Sequence, residues 1–125
     1  MRHVEAVVLG LLLASGSLGC QARDCADTRA EARKLVSEAQ VCSAGDDCVV
    51  VDYSELAGAN NCLGPFQCGG AVRMGVDLDD LGRRAKAIAD DYQQCKECET
   101  ALCADPATLT ASCNAAAGRC ELGTP

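Results

Sequence analysis

Cysteine is the side chain through which this sequence could do most chemistry. The 125 residues include eleven cysteines, and Cys95 and Cys98 have the C-x-x-C spacing of dithiol oxidoreductases. Those enzymes place the first thiol at a helix N-terminus, which lowers its pKa. Here the pair follows the C-terminal end of a predicted helix, where the helix dipole raises a thiol pKa. We therefore predict structural disulfides at both positions, with thiol–disulfide exchange as an alternative.

Histidine and metal chemistry have little support in the sequence. The only histidine, His3, lies in a segment that we predict to be cleaved, and its loss excludes Ser–His–Asp and Cys–His catalysis. An EF-hand-like loop beginning at Asp77 has Leu81 and Ile88 where calcium needs oxygen ligands. A four-thiolate zinc site can be drawn from Cys95, Cys98, Cys113 and Cys120. Oxidation competes with zinc binding in an exported protein, so we predict no metal, no cofactor and no enzymatic activity.

Residues 1–20 have the order of an export signal. Arg2 precedes an apolar run, residues 6–14, that is too short to span a bilayer. The following Ser17-Leu18-Gly19-Cys20 resembles the lipobox of bacterial lipoprotein precursors, in which the cysteine is acylated and the signal is cut just before it. The resemblance implies a signal peptide at 1–19, a tether at 20–23 and a lipid on Cys20 that anchors the protein in the bacterial envelope. Ordinary cleavage at the same bond, giving a soluble periplasmic or secreted protein, is the alternative.

The number of cysteines agrees with acylation of Cys20. Eleven is odd, and an exported protein with an odd count keeps one unpaired thiol. Without Cys20 the remaining ten suffice for five disulfides: Cys25, Cys42, Cys48, Cys62, Cys68, Cys95, Cys98, Cys103, Cys113 and Cys120.

The connectivity of these disulfides does not follow from spacing alone. Cys25 and Cys42 lie at opposite ends of a predicted helix, about 25 Å apart at 1.5 Å per residue, so each must bond elsewhere. We favour a Cys113–Cys120 bond across a hairpin, and a bond from Cys48 to the second helix or the C-terminal tail.

The hydrophobic core is expected to be thin. Tyr53, Phe66 and Tyr92 are the only aromatic residues, and there is no tryptophan. Burying such a core at about 25 cal/mol per Å² barely offsets chain entropy. Disulfides worth about 2–4 kcal/mol each are therefore expected to make the fold stable, and reduction to unfold it.

The chain is acidic, with a net charge of −7 at neutral pH. An acidic surface with few aromatic residues repels phosphate backbones and offers little for base stacking, so we predict no nucleic-acid binding. The charge favours solubility or a cationic partner. No second apolar stretch predicts a transmembrane helix in the mature chain.

Hydrophobic periodicity and turn residues predict the elements. Apolar residues recur at helical spacing in two segments, β-branched and alternating residues indicate strands, and an Asn114 to Gly118 turn joins two arms that each carry a cysteine. The predicted elements are helices at 26–41 and 78–94, strands at 48–53 and 72–76, an irregular loop at 54–70 and a hairpin from 108–113 and 119–122.

These elements predict one α+β domain over residues 24–122, small and disulfide-rich, with two helices, a short antiparallel sheet and a C-terminal hairpin, followed by a frayed tail at 123–125. A mostly α cysteine scaffold is the alternative.

One loop is a candidate binding site. Cys62 and Cys68 bracket five residues that include Leu63, Phe66 and a Gly-Pro pair, so the segment could present Leu63 or Phe66 outward on a rigid frame. Alternatively, Phe66 turns inward as core. The sequence favours a non-enzymatic envelope structural or binding module with an unknown protein or envelope partner, and keeps a disulfide-stabilised inhibitor of proteases or other hydrolases as the competing hypothesis.

Overall fold

The computed structural model describes residues 24–124 and shows a small disulfide-rich α+β fold. Three helices and two antiparallel pairs of strands make it up, which confirms the predicted fold class. In chain order they are α1 (Cys25–Gln40), β1 (Cys48–Asp52), α2 (Tyr53–Ala57), β2 (Gly69–Arg73), α3 (Leu78–Tyr92), β3 (Thr110–Asn114) and β4 (Arg119–Gly123). The predicted signal peptide, the tether and Cys20 lie outside the described residues.

Aspartates cap both long helices. The side chain of Asp24 accepts a hydrogen bond from the amide of Ala26 at the start of α1. Asp77 accepts one from the amide of Asp80 at the start of α3. Each carboxylate satisfies an otherwise free amide and lies at the positive end of the helix dipole. The two helices pack on each other, and α2 packs on α3. The observed ranges of α1 and α3 confirm the two predicted helices within one or two residues at each end.

Each sheet has two strands. In the first, β1 pairs with β2, from Cys48 opposite Arg73 to Asp52 opposite Gly69. In the second, β3 pairs with β4 as the predicted hairpin, with Cys113 directly opposite Cys120. Contacts between β1 and β3 and between β2 and β4 bring the two sheets together.

Three details of the predicted chain course are wrong. The segment predicted as an irregular loop contains α2 and a 3-10 turn at Gly64–Phe66. The second strand runs from Gly69 to Arg73 rather than from 72 to 76, because the chain turns at Gly75, whose φ of 96° suits glycine. Gly123, predicted in the frayed tail, pairs with Thr110 in β4.

All three aromatic side chains lie in the core. Tyr53, Phe66 and Tyr92 are almost fully buried, together with Leu63 and Val72. The Tyr53 and Phe66 rings stack with centroids 5.8 Å apart. Gly70 allows this packing, since a Cβ at that position would lie 2.5 Å from Cε2 of Tyr53.

The two buried tyrosines differ in their hydroxyl groups. Within residues 24–124 the Tyr53 hydroxyl has no hydrogen-bond partner, whereas Nη1 of Arg29 donates to the Tyr92 hydroxyl at 3.2 Å. An unsatisfied buried hydroxyl lowers stability, and a hydrogen-bonded one contributes to it.

This difference predicts opposite effects for one substitution. We expect Tyr53→Phe to raise the free energy of unfolding by about 1 kcal/mol and Tyr92→Phe to lower it by about 1 kcal/mol, in urea unfolding with the disulfides intact. Burial also raises the pKa of Tyr53 to about 12, so the unfolded state loses the tyrosine proton first as pH rises. The advantage of Tyr53→Phe over the wild type should therefore widen above about pH 10. Equal destabilisation by both variants would contradict the assignment.

Candidate functional site

The ten cysteines from Cys25 to Cys120 form five disulfides. The bonded pairs are Cys25–Cys95, Cys42–Cys113, Cys48–Cys120, Cys62–Cys98 and Cys68–Cys103. Cys25 and Cys42 bond to distant partners, and Cys48 bonds to the tail, as the sequence predicts. The predicted Cys113–Cys120 bond is wrong, although the two residues face each other across the hairpin.

The pairing removes the basis for redox and zinc sites at the cysteines. Cys95 and Cys98 bond to different partners, so the C-x-x-C spacing does not form a dithiol pair. The four cysteines of the possible zinc site belong to four separate disulfides. The sulfurs of Cys42, Cys48 and Cys113 lie within 4.8 Å of one another because two disulfides are adjacent there, and a disulfide sulfur is not the thiolate that binds zinc.

The predicted contact loop does not present its apolar side chains. Leu63 and Phe66 are both fully buried, so the prediction that either faces outward is wrong, and the alternative that Phe66 turns inward as core is confirmed. Asn61 holds this segment inward: its Nδ2 donates to the carbonyl oxygens of Gly58 and Phe66, both at 2.8 Å, and its Oδ1 accepts from the amide of Leu63 at 3.0 Å. With so few large apolar residues, the core takes both side chains.

A different segment carries an exposed apolar side chain. Residues 98–103, which we call the Leu102 loop, run from Cys98 to Cys103 without helix or strand. Leu102 has a relative exposure of 101%, so its side chain contacts almost nothing of the protein. Two disulfides close the loop, one from Cys98 to Cys62 and one from Cys103 to Cys68.

The side chain of Gln67 forms two hydrogen bonds to the backbone of the Leu102 loop. Its Nε2 donates to the carbonyl oxygen of Glu99 at 2.6 Å, and its Oε1 accepts from the amide of Ala101 at 2.8 Å. Bonding to the carbonyl of one residue and the amide two positions later is how a residue in a parallel strand binds its neighbour. Residues 99–101 are therefore extended, with Gln67 in place of a strand.

Further hydrogen bonds fix the start of the loop. The amide of Glu99 donates to the carbonyl of Cys62 at 2.9 Å, and Oε1 of Glu99 accepts from the amide of Gly64 at 3.2 Å. Nε2 of Gln67 also donates to the carbonyl of Asn61 at 3.1 Å. The 62–68 segment, in which Leu63 and Phe66 are buried, is thus the frame on which the Leu102 loop lies.

One edge of the loop backbone has no partner. The Glu99 and Ala101 groups that face Gln67 are paired, whereas the amide and carbonyl of Thr100 make no hydrogen bond anywhere in residues 24–124. Successive residues of an extended chain direct these groups to opposite sides. Thr100, which is exposed, therefore directs its amide and carbonyl away from Gln67.

Two open grooves are less suited to a specific ligand. One of about 390 Å³ lies between α1 and α3, where exposed Glu38 pairs with Arg84 at 3.5 Å and with Lys34 at 3.9 Å. Exposed pairs of this kind contribute little energy. Another of about 360 Å³ adjoins the Leu102 loop and is lined by Asp52 and Asp105, whose carboxylates each cap a short helix.

Comparison with known protein families, characterised proteins and solved structures finds no match for this chain. None of the helices within residues 24–124 is both long and apolar enough to span a membrane. The density of disulfides is typical of exported or extracellular proteins.

Proposed function

We propose that this protein is an exported, non-enzymatic binding module that holds a protein partner through the Leu102 loop. One observation carries the proposal: a fully exposed leucine lies on a backbone that two disulfides and the Gln67 side chain hold in place.

An exposed leucine alone would mean little, because isolated apolar side chains are common on protein surfaces. Leu102 differs from such residues because two disulfides and the Gln67 side chain hold its backbone in place. Ordering a flexible loop on binding reduces affinity, and a loop already held in one conformation avoids most of that loss. Residues that fill a pocket in the partner also dominate binding energies. The Leu102 loop meets the first condition, and we propose that Leu102 meets the second by filling a pocket in the partner.

The charges around the loop favour a partner with a basic rim. Glu97 and Asp105 flank the Leu102 loop and are exposed, while Lys96 and Arg29 are cations near Glu97. The two flanking carboxylates, together with the net charge of −7, would attract a cationic surface and speed association at low salt.

We test the proposal by photo-crosslinking at position 102. A photoreactive residue there should give a discrete adduct with one envelope or extracellular protein, while the same residue at Met74, which is 56% exposed at the far end of β2, should not. Excess wild-type protein should compete for the adduct, and excess Leu102→Asp should not. If adducts form equally at both positions, the Leu102 loop is not the binding site.

The membrane location is a separate part of the proposal and depends on Cys20. We infer that an acyl chain on Cys20 anchors the module. Two observations support this inference: the residues before Cys20 resemble a lipobox, and the other ten cysteines pair among themselves. In a bacterial host, Cys20→Ser should lose label from a radioactive fatty acid and move from the membrane to the soluble fraction. Unchanged labelling and fractionation would show that no lipid is attached at Cys20.

A further inference from the structure

We propose that the partner is a serine endopeptidase with an apolar primary specificity pocket, and that Leu102 enters that pocket so that this chain inhibits the enzyme. The inference rests on the proposed function, since it assigns a partner to the Leu102 loop. Three features of the loop carry it: its extended backbone, its unpaired edge and the attachment of both its ends.

The backbone just before Leu102 pairs as an extended peptide does. Gln67 bonds to the carbonyl of Glu99 and the amide of Ala101 as a neighbouring strand would, which favours an extended approach to Leu102. An extended peptide binds along an exposed edge of a partner through its main-chain groups, while its side chains enter pockets. The amide and carbonyl of Thr100, two residues before Leu102, are unpaired within the described chain and are available for this pairing.

The neighbours of Leu102 leave room for the walls of a cleft. Ala101 and Ala104 are small, and Ala104 and Cys103 are exposed. Leu102 itself fits an apolar pocket and offers nothing to the carboxylate that selects lysine and arginine in trypsin-like enzymes. The predicted target is therefore a protease that cleaves after large apolar residues.

The attachment of both ends makes the loop an inhibitor rather than a substrate. In the enzyme, the serine oxygen would attack the Leu102 carbonyl carbon, and its proton would pass through the catalytic histidine to the Cys103 nitrogen as the carbon–nitrogen bond breaks. The residues before the break stay attached through Cys98–Cys62 and the hydrogen bonds to Gln67, and the new amine stays attached through Cys103–Cys68.

The held amine favours the reverse reaction. It remains beside the ester carbon, so it can attack that carbon, restore the peptide bond and return the proton to the serine. Hydrolysis would instead require water to attack the same ester carbon and displace the serine oxygen, in competition with the amine that the Cys103–Cys68 bond keeps there. We therefore expect the complex to last and the chain to be recovered mostly intact.

The test is whether a substitution at Leu102 changes which protease the chain inhibits. The full chain, produced by export so that its disulfides form, is titrated against chymotrypsin, which has an apolar pocket, and trypsin, which has a cationic one, with small chromogenic substrates. We expect one-to-one inhibition of chymotrypsin and none of trypsin. Leu102→Lys should weaken inhibition of chymotrypsin by about 100-fold or more and create inhibition of trypsin. Met74→Lys is the matched control and should behave as the wild type.

Other outcomes of the inhibition assay would overturn the protease assignment. Inhibition that Leu102→Lys leaves unchanged would place the contact elsewhere and overturn the inference. Rapid cleavage after Leu102, seen as the gain of one water in intact mass with no lasting inhibition, would make the loop a substrate and also overturn it. If neither enzyme is inhibited but photo-crosslinking at position 102 still gives a specific adduct, the proposed binding function stands and the protease assignment fails. Loss of both results removes both proposals.

Discussion

Reduction of the five disulfides at neutral pH is expected to unfold the domain. Three bonds, Cys25–Cys95, Cys42–Cys113 and Cys48–Cys120, join residues 70 to 72 positions apart, and the other two join residues 35 or 36 apart. Loops of these lengths correspond to about 4 kcal/mol of stabilisation each by restriction of the unfolded chain, although nested loops are not additive. The free energy of unfolding of a whole domain is only about 5–15 kcal/mol.

The structure gives a second reason to expect this result. The core relies on three aromatic residues and several alanines, and the smaller apolar cluster, which joins the two sheets, consists mainly of disulfide sulfurs: Cys42, Cys113, Cys48 and Cys120. Reduction removes the covalent links of that cluster. Circular dichroism and trypsin resistance in strong reductant, followed by alkylation, give the measurement, with the oxidised protein in the same buffer as control. A reduced, alkylated chain that keeps its helical signal and its resistance would contradict the expectation.

The two long helices, α1 and α3, were predictable because local signals determine them. Apolar residues at three- and four-residue steps mark the buried side of α3, and Asp77 supplies the cap that the structure shows. The hairpin also has a local signal in its turn. These features depend on residues close in sequence, so no knowledge of the tertiary packing was needed.

The full disulfide connectivity depends on packing between distant elements, and the sequence predicted only that Cys25 and Cys42 bond elsewhere and that Cys48 bonds to the second helix or the tail. Cys113 and Cys120 are opposite each other in the hairpin, which made a bond between them the natural local expectation. The hairpin packs against β1 and β2, however, which brings Cys48 to Cys120. The segment after α1 also pairs with the hairpin, at Val41 opposite Arg119 and from the Cys42 amide to the Gly118 carbonyl, which brings Cys42 to Cys113. The partners of these cysteines therefore depend on how distant elements pack on the hairpin.

The candidate site was predicted on the wrong segment for a related reason. Both the 62–68 and the 98–103 segments lie between cysteines, and composition alone points to the first because it holds Phe66. Only the tertiary structure shows that Asn61 bonds to the carbonyl of Phe66, whose ring turns inward. It also shows that Gln67 bonds to Glu99 and Ala101, just before Leu102. The one sequence feature that pointed to this site was a single leucine between Cys98 and Cys103. A buried leucine between two cysteines would look the same in the sequence, so the feature could not identify a binding site.

The two segments should respond to truncation in opposite ways. Phe66→Ala is expected to lower the free energy of unfolding by about 3–5 kcal/mol, because it removes a fully buried ring that stacks on Tyr53. Leu102→Ala removes a side chain that contacts almost nothing, so stability should change by less than about 0.5 kcal/mol. Thermal unfolding of the oxidised proteins measures both, and the Phe66 variant should melt at least about 10 °C lower.

The same pair separates folding from binding. Leu102→Ala should lose competition for the photo-crosslinked adduct while it keeps the wild-type melting temperature, because only the contact side chain is gone. Phe66→Ala, studied below its melting temperature, should keep Leu102 in place but loosen the frame beneath it, since the Phe66 carbonyl accepts from Asn61 and Gln67 is the next residue. Its competition should weaken less than that of Leu102→Ala. A Leu102→Ala variant that melts many degrees below the wild type would show that Leu102 packs against the domain, and the Leu102 loop could not then be the exposed contact that binding requires.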